Sequence, residues 1–470
     1  MGGLAVFLLF ATSCSGSETS ASDTPQQEEA EPPTDRPNIL FVLTDDLDYA
    51  SAQKMPRIRS RLADEGASFK EAFVSYPLCC PSRATILTGL YAHNHNVKSN
   101  RFPDGGFEKF RDEGLEEDTI AVRLQEEDYR TALFGKYLNE YPGDQDPTYV
   151  PSGWDEWHGR VDENKLNEYQ INENGEVVSY GSDTEDYYTD VLSRQATDFI
   201  GSAAQDSRPF FMYVAPTAPH DPAIPAERHK GAFAGEEAPR PPSFDEEDVS
   251  DKPTYVSSLE RITEEEALAI DDYYRKRLES MLAVDEMVAS LIQELEAAGE
   301  LDDTYIFFTS DNGWEQGEHR IRYEKNRPYE ESVRVPLFVR GPGIAPGSTI
   351  EKLALNTDFA PTFADLAGAD FRADGRSLAP LLRGEDPPWH SAVLLEKLGK
   401  RAFEGVRTET HKYVEYDNGK KELYDLEADP YELESLHDSG TPSLLEDLKA
   451  KLDALRSCTE DECRGAEDAP

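Results

Sequence analysis

The sequence predicts an α/β fold in which a mixed, mainly parallel sheet lies between helices and is followed by a small C-terminal antiparallel sheet with a helix. Four continuous apolar runs are typical of strands buried on both faces of a sheet: 38–44, 209–215, 305–310 and 335–339. Helical patterns alternate with these runs, and shorter runs separated by turns begin near residue 392. Together these observations favour one large sheet followed by one small sheet.

In the first half of the chain, helices and strands are predicted to alternate. After the strand at 38–44, the pattern predicts a helix over 55–66. Thr119 is a good N-cap for a helix of about ten residues, which leads into a short strand over 130–135. A helix is then expected over 183–204, directly before the strand at 209–215.

The second half contains the longest helix. Thr263 and Glu266 have capping-box spacing, an apolar stripe from Leu278 to Leu295 follows, and Gly299 suits the end of the helix. Residues 224–256 are Pro-rich, acidic and without period, which fits either a lid over the substrate or a plain surface loop. Three runs form the expected small sheet: 392–395, 412–415 and 422–426.

The domain organisation follows from these patterns and from the amino terminus. We expect a main domain over 36–385, a C-terminal α+β subdomain over 386–457 and a tail over 458–470. Residues 4–11 read LAVFLLFA and lead through small residues to Cys14, which resembles a bacterial lipoprotein signal with its lipobox. We therefore expect a signal peptide over 1–14, a flexible polar linker over 15–35, and export as a secreted protein or a cell-surface lipoprotein.

Composition excludes two classes of function. The chain has 94 acidic and 47 basic residues among 470, a formal charge of −47, so it lacks the basic footprint of a nucleic-acid binder. No apolar run is long enough to cross a membrane, which leaves a lipid anchor as the expected membrane contact. An anionic substrate would need a local positive site against this overall field.

The cysteines fall into two pairs apart from Cys14. Cys458 and Cys463 flank four residues of the tail and are expected to form a disulfide in an exported protein. Cys79 and Cys80 are adjacent, and by themselves they fit either a vicinal disulfide or two buried thiols.

Oxygen ligands follow two of the predicted strands. Asp45 and Asp46 come directly after the strand at 38–44, and Asp311 and Asn312 follow the strand at 305–310. Ligands bind at the carboxyl ends of strands in open α/β sheets, and these oxygens would suit one hard divalent ion, Ca²⁺ or Mg²⁺. The alternative is that both pairs serve only as helix caps or turns.

Residues 79–89 read CCPSRATILTG and predict a short helix with Pro81 in its first turn and Gly89 beyond its end. Cys79 would then lie at a helix amino terminus that favours anions, with Arg83 one turn in. The segment resembles the sulfatase signature, Cys-x-Pro-Ser-Arg followed by a helix ending in Thr-Gly. The resemblance covers roughly residues 36–440.

The resemblance implies an alkaline-phosphatase-like fold and a nucleophile made from Cys79. A formylglycine-generating enzyme would convert Cys79 to formylglycine during maturation. The implied metal ligands, for an ion that we expect to be Ca²⁺, are Asp45, Asp46, Cys79, Asp311 and Asn312.

Further motifs resemble active-site positions of the family. Gly135-Lys136-Tyr137, Ala218-Pro219-His220 and Lys325 match its lysine and histidine motifs. By this resemblance Arg83 stabilises the aldehyde hydrate, Lys136 and Lys325 hold sulfate oxygens, and His220 is the acid for the leaving group. The alternatives are surface ion pairs for the lysines and a buried structural role for His220.

The substrate is indicated by finer features of the same resemblance. Leu138 replaces a histidine found in many arylsulfatases, and the segment Tyr91–His95 is similar to the glucosamine-6-sulfatase branch. His93 and His95 are therefore expected to bind substrate. The implied activity removes sulfate from a sulfated small molecule or oligosaccharide, such as glucosamine 6-O-sulfate, or from an aryl sulfate. A phosphonate or phosphate diester hydrolase and a non-catalytic glycan-binding lipoprotein are the alternatives.

Overall fold

The computed structural model describes Met1 and residues 36–161 and 168–469. The signal peptide and linker predicted around Cys14 lie outside these residues, apart from Met1. From Arg36 onward the described chain forms one compact unit. No helix within the described ranges is long and apolar enough to cross a membrane.

The described residues form a sheet of ten strands and a sheet of four. The strands of the large sheet are β1 (Asn38–Thr44), β2 (Ala67–Phe73), β3 (Arg130–Gly135), β4 (Glu156–Arg160), β5 (Gln170–Glu173), β6 (Glu176–Ser179), β7 (Phe210–Ala215), β8 (Thr304–Ser310), β9 (Leu337–Arg340) and β10 (Ser348–Leu355). The strands of the small sheet are β11 (Ala392–Lys397), β12 (Phe403–Thr408), β13 (His411–Tyr416) and β14 (Lys421–Asp425).

Helices cover the sheets. The α-helices are α1 (Tyr49–Ala52), α2 (Pro56–Ile58), α3 (Cys79–Thr88), α4 (Ala92–His95), α5 (Gly106–Asp112), α6 (Ile120–Glu126), α7 (Tyr188–Ala203), α8 (Thr254–Ser257), α9 (Glu264–Ala298), α10 (Glu330–Val333), α11 (Phe359–Ala367), α12 (Ala379–Leu382), α13 (Pro442–Leu455) and α14 (Asp461–Glu467). A π-helical turn spans Arg59–Ala63, and 3₁₀ turns span Leu115–Asp118, Thr184–Asp186, Glu227–His229, Leu301–Asp303 and Asn356–Asp358.

The centre of the large sheet sets the position of the site. The strand order is β10-β2-β9-β8-β1-β7-β3-β4-β5-β6, and β1 lies parallel to both β7 and β8. Two separate buried apolar clusters line these strands, because alternate side chains of β1 point to opposite faces. The carboxyl ends of β1, β7 and β8 therefore meet at one edge.

The fold class predicted from the sequence is confirmed, and several local features are as expected. Thr119 caps α6, and Thr263 and Glu266 form the capping box of α9. Gly89 and Gly299 end α3 and α9 in left-handed conformations with φ of 68° and 79°.

Other local predictions need correction. The expected helix over 183–204 begins only at Tyr188, after a 3₁₀ turn. The helix expected over 55–66 is a single turn followed by a π-helical turn. The strand expected over 335–339 is β9, which begins only at Leu337 and is antiparallel to both β2 and β8.

The C-terminal sheet is a meander of four antiparallel strands that packs against α13 through a shared apolar cluster. The disulfide between Cys458 and Cys463 is present, as the sequence predicted. The boundary at residue 385 stays a prediction, although β11 begins close to it at Ala392.

The long segment 224–256 is anchored by polar contacts. Lys252 is fully buried, and its Nζ donates to the backbone oxygen of Glu432 at 2.8 Å. Arg320 donates to the backbone oxygens of Glu246 and Glu247. These contacts tie the carboxyl-terminal half of the segment to the body of the protein.

Candidate active site

Cys79 is the first residue of α3 and lies buried against the carboxyl end of β1. Its Sγ is 3.4 Å from Oδ1 of Asp45, 3.9 Å from Oδ1 of Asp46 and 2.8 Å from Nζ of Lys325. Pro81 in the first turn and Gly89 at the C-cap explain why the sequence begins and ends this helix as it does. The structure thus brings the predicted nucleophile to the predicted metal ligands.

The two strand ends interlock through polar contacts. The backbone N–H of Asp46 donates to Oδ1 of Asp311 at 3.1 Å, and Nδ2 of Asn312 donates to Oδ1 of Asp46 at 2.7 Å. Asp46 has a φ of 66°, a conformation that non-glycine residues seldom adopt and that is held here by these contacts.

Three cations surround these carboxylates. Nζ of Lys136 lies 2.6 Å from Oδ2 of Asp45, and Lys325 donates to Oδ1 of Asp46. Nε of Arg83 donates to Oδ2 of Asp311 at 2.8 Å. The three side chains thus form a local cluster of positive charge within a strongly acidic protein.

The electrostatics of the cluster follow from burial and from these neighbours. Burial opposes ionisation of Asp45, yet Lys136, His220 and Arg83 hold the pKa of its carboxyl well below the ordinary value. The pKa of Asp311 is raised by burial and by the charge of Asp45. Burial also raises the pKa of the Cys79 thiol, although Lys136 and Lys325 oppose that shift.

The residues fit a hard divalent cation. Oδ2 of Asp46 and Oδ1 of Asn312 are buried acceptor atoms that find no hydrogen-bond partner among the residues that the structure describes. Ligand atoms of Asp45, Asp46, Cys79 and His220 all lie within 4.8 Å of one another. Both oxygens of Asp311 already accept, one from the backbone N–H of Asp46 and one from Arg83.

His220 follows β7 on the open side of the cluster. Its Nε2 is 3.7 Å from Oδ2 of Asp46, and its Nδ1 contacts the backbone oxygen of Asp221 at 2.8 Å. The His220 side chain is 38% exposed, so the alternative of a buried structural histidine does not hold.

Beside this cluster lies a cavity of about 290 Å³. Asp45, Lys136 and His220 lie on its wall together with Asn139 and Arg160. The sequence analysis missed Asn139 and Arg160, because a single polar residue near a strand end carries no pattern.

His93 and His95 do not join the site, and their contacts correct the expectation that they bind substrate. The ring of His93 contacts Oε2 of Glu396 at 3.0 Å and the backbone oxygen of Cys458 at 3.1 Å. The buried ring of His95 contacts Oγ1 of Thr85 and the backbone N–H of Val97. Neither ring has a free nitrogen to offer a substrate.

Arg277 is a further residue beside the site that sequence reasoning missed. It is almost fully buried and donates to the backbone oxygens of Asp46 and Pro219, which fixes the two loops that carry Asp46 and His220. A signal was present, since position 277 falls on the apolar stripe of α9 between Tyr274 and Leu278. A charged residue on a buried stripe indicates a polar group with fixed partners.

Comparison with known proteins agrees with this geometry. Residues 37–369 match the family model described as Sulfatase, and residues 317–458 match the C-terminal model of N-sulphoglucosamine sulphohydrolase. Human N-acetylglucosamine-6-sulfatase is 34% identical, with 92% of this chain and 86% of the relative covered. The N-acetylglucosamine-6-O-sulfatase of Bacteroides thetaiotaomicron is 30% identical, with coverage of 88% and 84%. A protein solved in complex with its substrate D-glucosamine-2-N,6-O-disulfate has a similar fold, with a TM-score of 0.76, 25% identity, and 92% and 99% of the two chains covered.

Proposed function

Since the chain belongs to the sulfatase family and is a sulfuric ester hydrolase, we propose that it removes the 6-O-sulfate from glucosamine at the ends of sulfated oligosaccharides. One observation supports this most directly. Cys79 lies within 4 Å of Asp45, Asp46 and Lys325, at the amino terminus of a helix and beside a cavity. A nucleophile, charge-neutralising groups and room for a sugar therefore meet at one place.

The proposed nucleophile is formylglycine made from Cys79. Its hydrate would supply one hydroxyl to attack the sulfur and a second to expel sulfate afterwards. An unmodified serine or cysteine could be sulfated but would have no such exit. Cys80 is not the modified residue, because counting from it puts Pro81 out of register with the signature.

The divalent cation, which we propose to be Ca²⁺, would polarise the sulfate oxygens and the attacking hydroxyl. Asp45, Asp46 and Asn312 would hold it, since the last two carry the unpartnered oxygens. Asp311 can contribute as well, because a carboxylate oxygen can accept more than one partner.

Lys136 and Lys325 would neutralise charge on the sulfate oxygens. Both ammonium groups lie at the carboxylates beside Cys79, so a sulfate brought to the nucleophile meets them. Arg83 has a different part, because its guanidinium donates to Asp311 and to the backbone oxygen of Lys136 at 2.8 Å. We therefore assign Arg83 to positioning the site, and its Nη2, which is buried without a hydrogen-bond partner among the described residues, is left to contact the hydrate.

His220 is the proposed acid for the leaving alcohol. It is the half-exposed member of the cluster and lines the cavity, so its ring can reach a bound substrate. Imidazole exchanges protons near neutral pH, and a sugar alcohol is a poor leaving group that needs a proton.

The relatives and the cavity support the substrate class. Two relatives are named for 6-sulfated N-acetylglucosamine, and they align over most of their length. The cavity volume of about 290 Å³ suits one sugar residue better than the interior of a long chain. The formal charge of −47 also disfavours approach of a long polyanion.

A substrate panel tests the proposal. Protein made together with a formylglycine-generating enzyme is incubated with N-acetylglucosamine 6-sulfate, a 3-O-sulfated glucosamine, a 2-O-sulfated uronate, p-nitrophenyl sulfate and a phosphate diester. We expect fastest sulfate release from the 6-position. Fast turnover of 2-O- or aryl sulfate with none at the 6-position would contradict the substrate, and preferred cleavage of the diester would favour the alternative hydrolase.

Replacement of His220 tests its proposed role as the acid for the leaving alcohol. His220→Ala should slow sugar desulfation by about 10²-fold or more and slow p-nitrophenyl sulfate hydrolysis much less, because a phenolate leaves without a proton. His411→Ala, on β13 of the small sheet, is the matched control. Equal losses on both substrates would show that His220 is not the acid.

A further inference from the structure

A second group of ligating side chains lies outside the active site. Ligand atoms of His319, Glu331 and Glu432 all lie within 4.8 Å of one another. His319 is in the loop between β8 and α10, Glu331 is in α10, and Glu432 follows β14. Side chains from two separate parts of the chain thus meet in a group that the proposed mechanism does not use.

The ring of His319 is arranged as the ring of a metal-bound histidine is. It is fully buried, and its Nδ1 contacts Oε2 of Glu246 at 2.7 Å. A carboxylate at one ring nitrogen holds the proton there, which leaves the lone pair on the other nitrogen. That other nitrogen, Nε2, is buried and has no hydrogen-bond partner among the described residues. A buried lone pair left in this state indicates a ligand that accepts it.

The orientation of the imidazole is fixed from a second side. The ring of Tyr329 packs against the ring of His319 with 4.1 Å between their centroids. Together with the contact to Glu246, this packing restricts the direction in which Nε2 points. The ligand nitrogen is therefore held in place before an ion binds.

The carboxylates of the group are only partly neutralised. Oε2 of Glu331 is buried and, in the part of the chain that the structure describes, finds no hydrogen-bond partner. Oε1 of Glu432 lies 2.8 Å from Nζ of Lys412, but the same Nζ lies 2.8 Å from Oε1 of Glu330. One ammonium group is thus divided between two carboxylates. A further cation beside Glu331 would remove the cost of its buried charge.

We propose that His319, Glu331 and Glu432 bind a second divalent ion, a transition metal for which Zn²⁺ is the probe. Zinc takes imidazole nitrogen and carboxylate oxygen ligands, whereas the oxygen ligands of the active site suit a hard ion. Zinc bonds of about 2.0–2.2 Å require the three ligand atoms to approach one another by up to about 1.5 Å. The half-buried Glu331 side chain can make such a movement. Water would take the fourth position.

The bound ion would have a structural role. The loop that carries His319 also carries Asn312 and Lys325 of the active site. An ion shared with Glu432 would fasten this loop to the segment that follows the small sheet. This inference does not depend on the identity of the substrate.

Metal content tests the second site. Protein made in medium with Zn²⁺ is dialysed against buffer with Ca²⁺, and both metals are measured by elemental analysis. Wild type should hold about one zinc per chain. His319→Gln and Glu331→Gln should lose the zinc and keep the calcium, whereas Asp46→Ala should lose the calcium and keep the zinc.

Two further variants bracket this result. Glu246→Gln should weaken zinc binding about 10- to 100-fold, as expected when the partner of a metal-bound histidine is removed. His93→Gln is the matched control, because the His93 ring also contacts a carboxylate, that of Glu396, but its other nitrogen contacts the backbone oxygen of Cys458. The control should keep both metals.

Thermal unfolding provides a second readout. A zinc-selective chelator in excess Ca²⁺ should lower the Tm of wild type by about 2–5 °C and leave the Tm of Glu331→Gln unchanged. If His319→Gln does not fold, the half-buried Glu331→Gln decides. Less than about 0.1 zinc per chain in folded wild type after incubation with excess Zn²⁺ would overturn the site. Zinc that Glu331→Gln holds as tightly as wild type does would overturn it as well, because the ion would then lie elsewhere.

Discussion

Replacing Arg83 should destabilise the protein as well as inactivate it. The side chain is fully buried, and its Nε lies 2.8 Å from Oδ2 of Asp311. Its Nη1 donates to the backbone oxygens of Lys136 and Tyr137, at 2.8 Å and 3.4 Å. Arg83→Met keeps much of the volume but leaves a buried carboxylate and two buried carbonyls without these donors.

The size of the expected loss in the free energy of unfolding follows from the burial of the ion pair between Arg83 and Asp311. Removing one partner of a buried ion pair costs about 3–5 kcal/mol, which is a large part of the roughly 5–15 kcal/mol that stabilises a typical protein. Arg83→Lys keeps the charge but not the planar fork, so we expect a smaller loss of about 1–3 kcal/mol. Urea unfolding in the presence of a chelator measures both losses without a contribution from bound metal.

A surface arginine provides the control for this comparison. Within the described ranges Arg208 pairs only with Asp206, and its side chain is 37% exposed. Arg208→Met should lower the free energy of unfolding by less than about 1 kcal/mol. If Arg83→Met lowers the free energy of unfolding by no more than Arg208→Met does, the buried pair of Arg83 and Asp311 does not stabilise the protein.

Three further predictions concern the metal, the anchor and pH. Asp46→Ala should lower bound Ca²⁺, measured by elemental analysis after dialysis, and sulfate release should fall with it; full activity of metal-free protein would refute the site. Cys14→Ser should release the protein from membrane fractions on blotting, and a wild type that is already soluble would leave simple secretion. Burial alone would lower the pKa of His390, but Glu467 and Asp358 raise it to about 9. The pKa of a histidine in the unfolded chain is about 6.5, so protonated His390 stabilises the folded protein by up to about 3 kcal/mol. This stabilisation should be complete below pH ~6.5 and lost as pH rises through about 9. Unfolding titrations of wild type and His390→Gln should therefore converge at high pH, and a constant difference would contradict this.

Sequence patterns predicted the centre of the sheet well and its edges poorly. β1, β7 and β8 are apolar throughout because both faces are covered, so they are visible as continuous runs. β10 lies at an edge, with exposed and buried residues mixed along Ser348–Leu355, and its strand character comes from pairing with β2. Strand direction is also invisible in composition, so the antiparallel pairing of β9 with β2 and β8 could not be predicted from its apolar run.

In the candidate site, too, some residues could be predicted from sequence patterns and others could not. Asp45, Asp46, Asp311 and Asn312 could be predicted because they follow strands whose carboxyl ends must meet at one edge. His93 and His95 looked like site residues by resemblance, but the partners of His93 are Glu396 and Cys458, which lie 303 and 365 residues away in the chain, where sequence spacing carries no information. Contacts of that separation are set by tertiary packing alone.

The chemical identity of residue 79 decides whether a formylglycine carries the reaction. Protein is made with and without a formylglycine-generating enzyme, and each preparation is divided between mass spectrometry of the tryptic peptide that contains Cys79 and an assay of sulfate release. We expect activity to rise in proportion to the fraction of peptide with an aldehyde at position 79, Cys79→Ala to be inactive, and Cys80→Ala still to carry the aldehyde. Full sulfatase activity in protein whose residue 79 is entirely thiol would contradict the account.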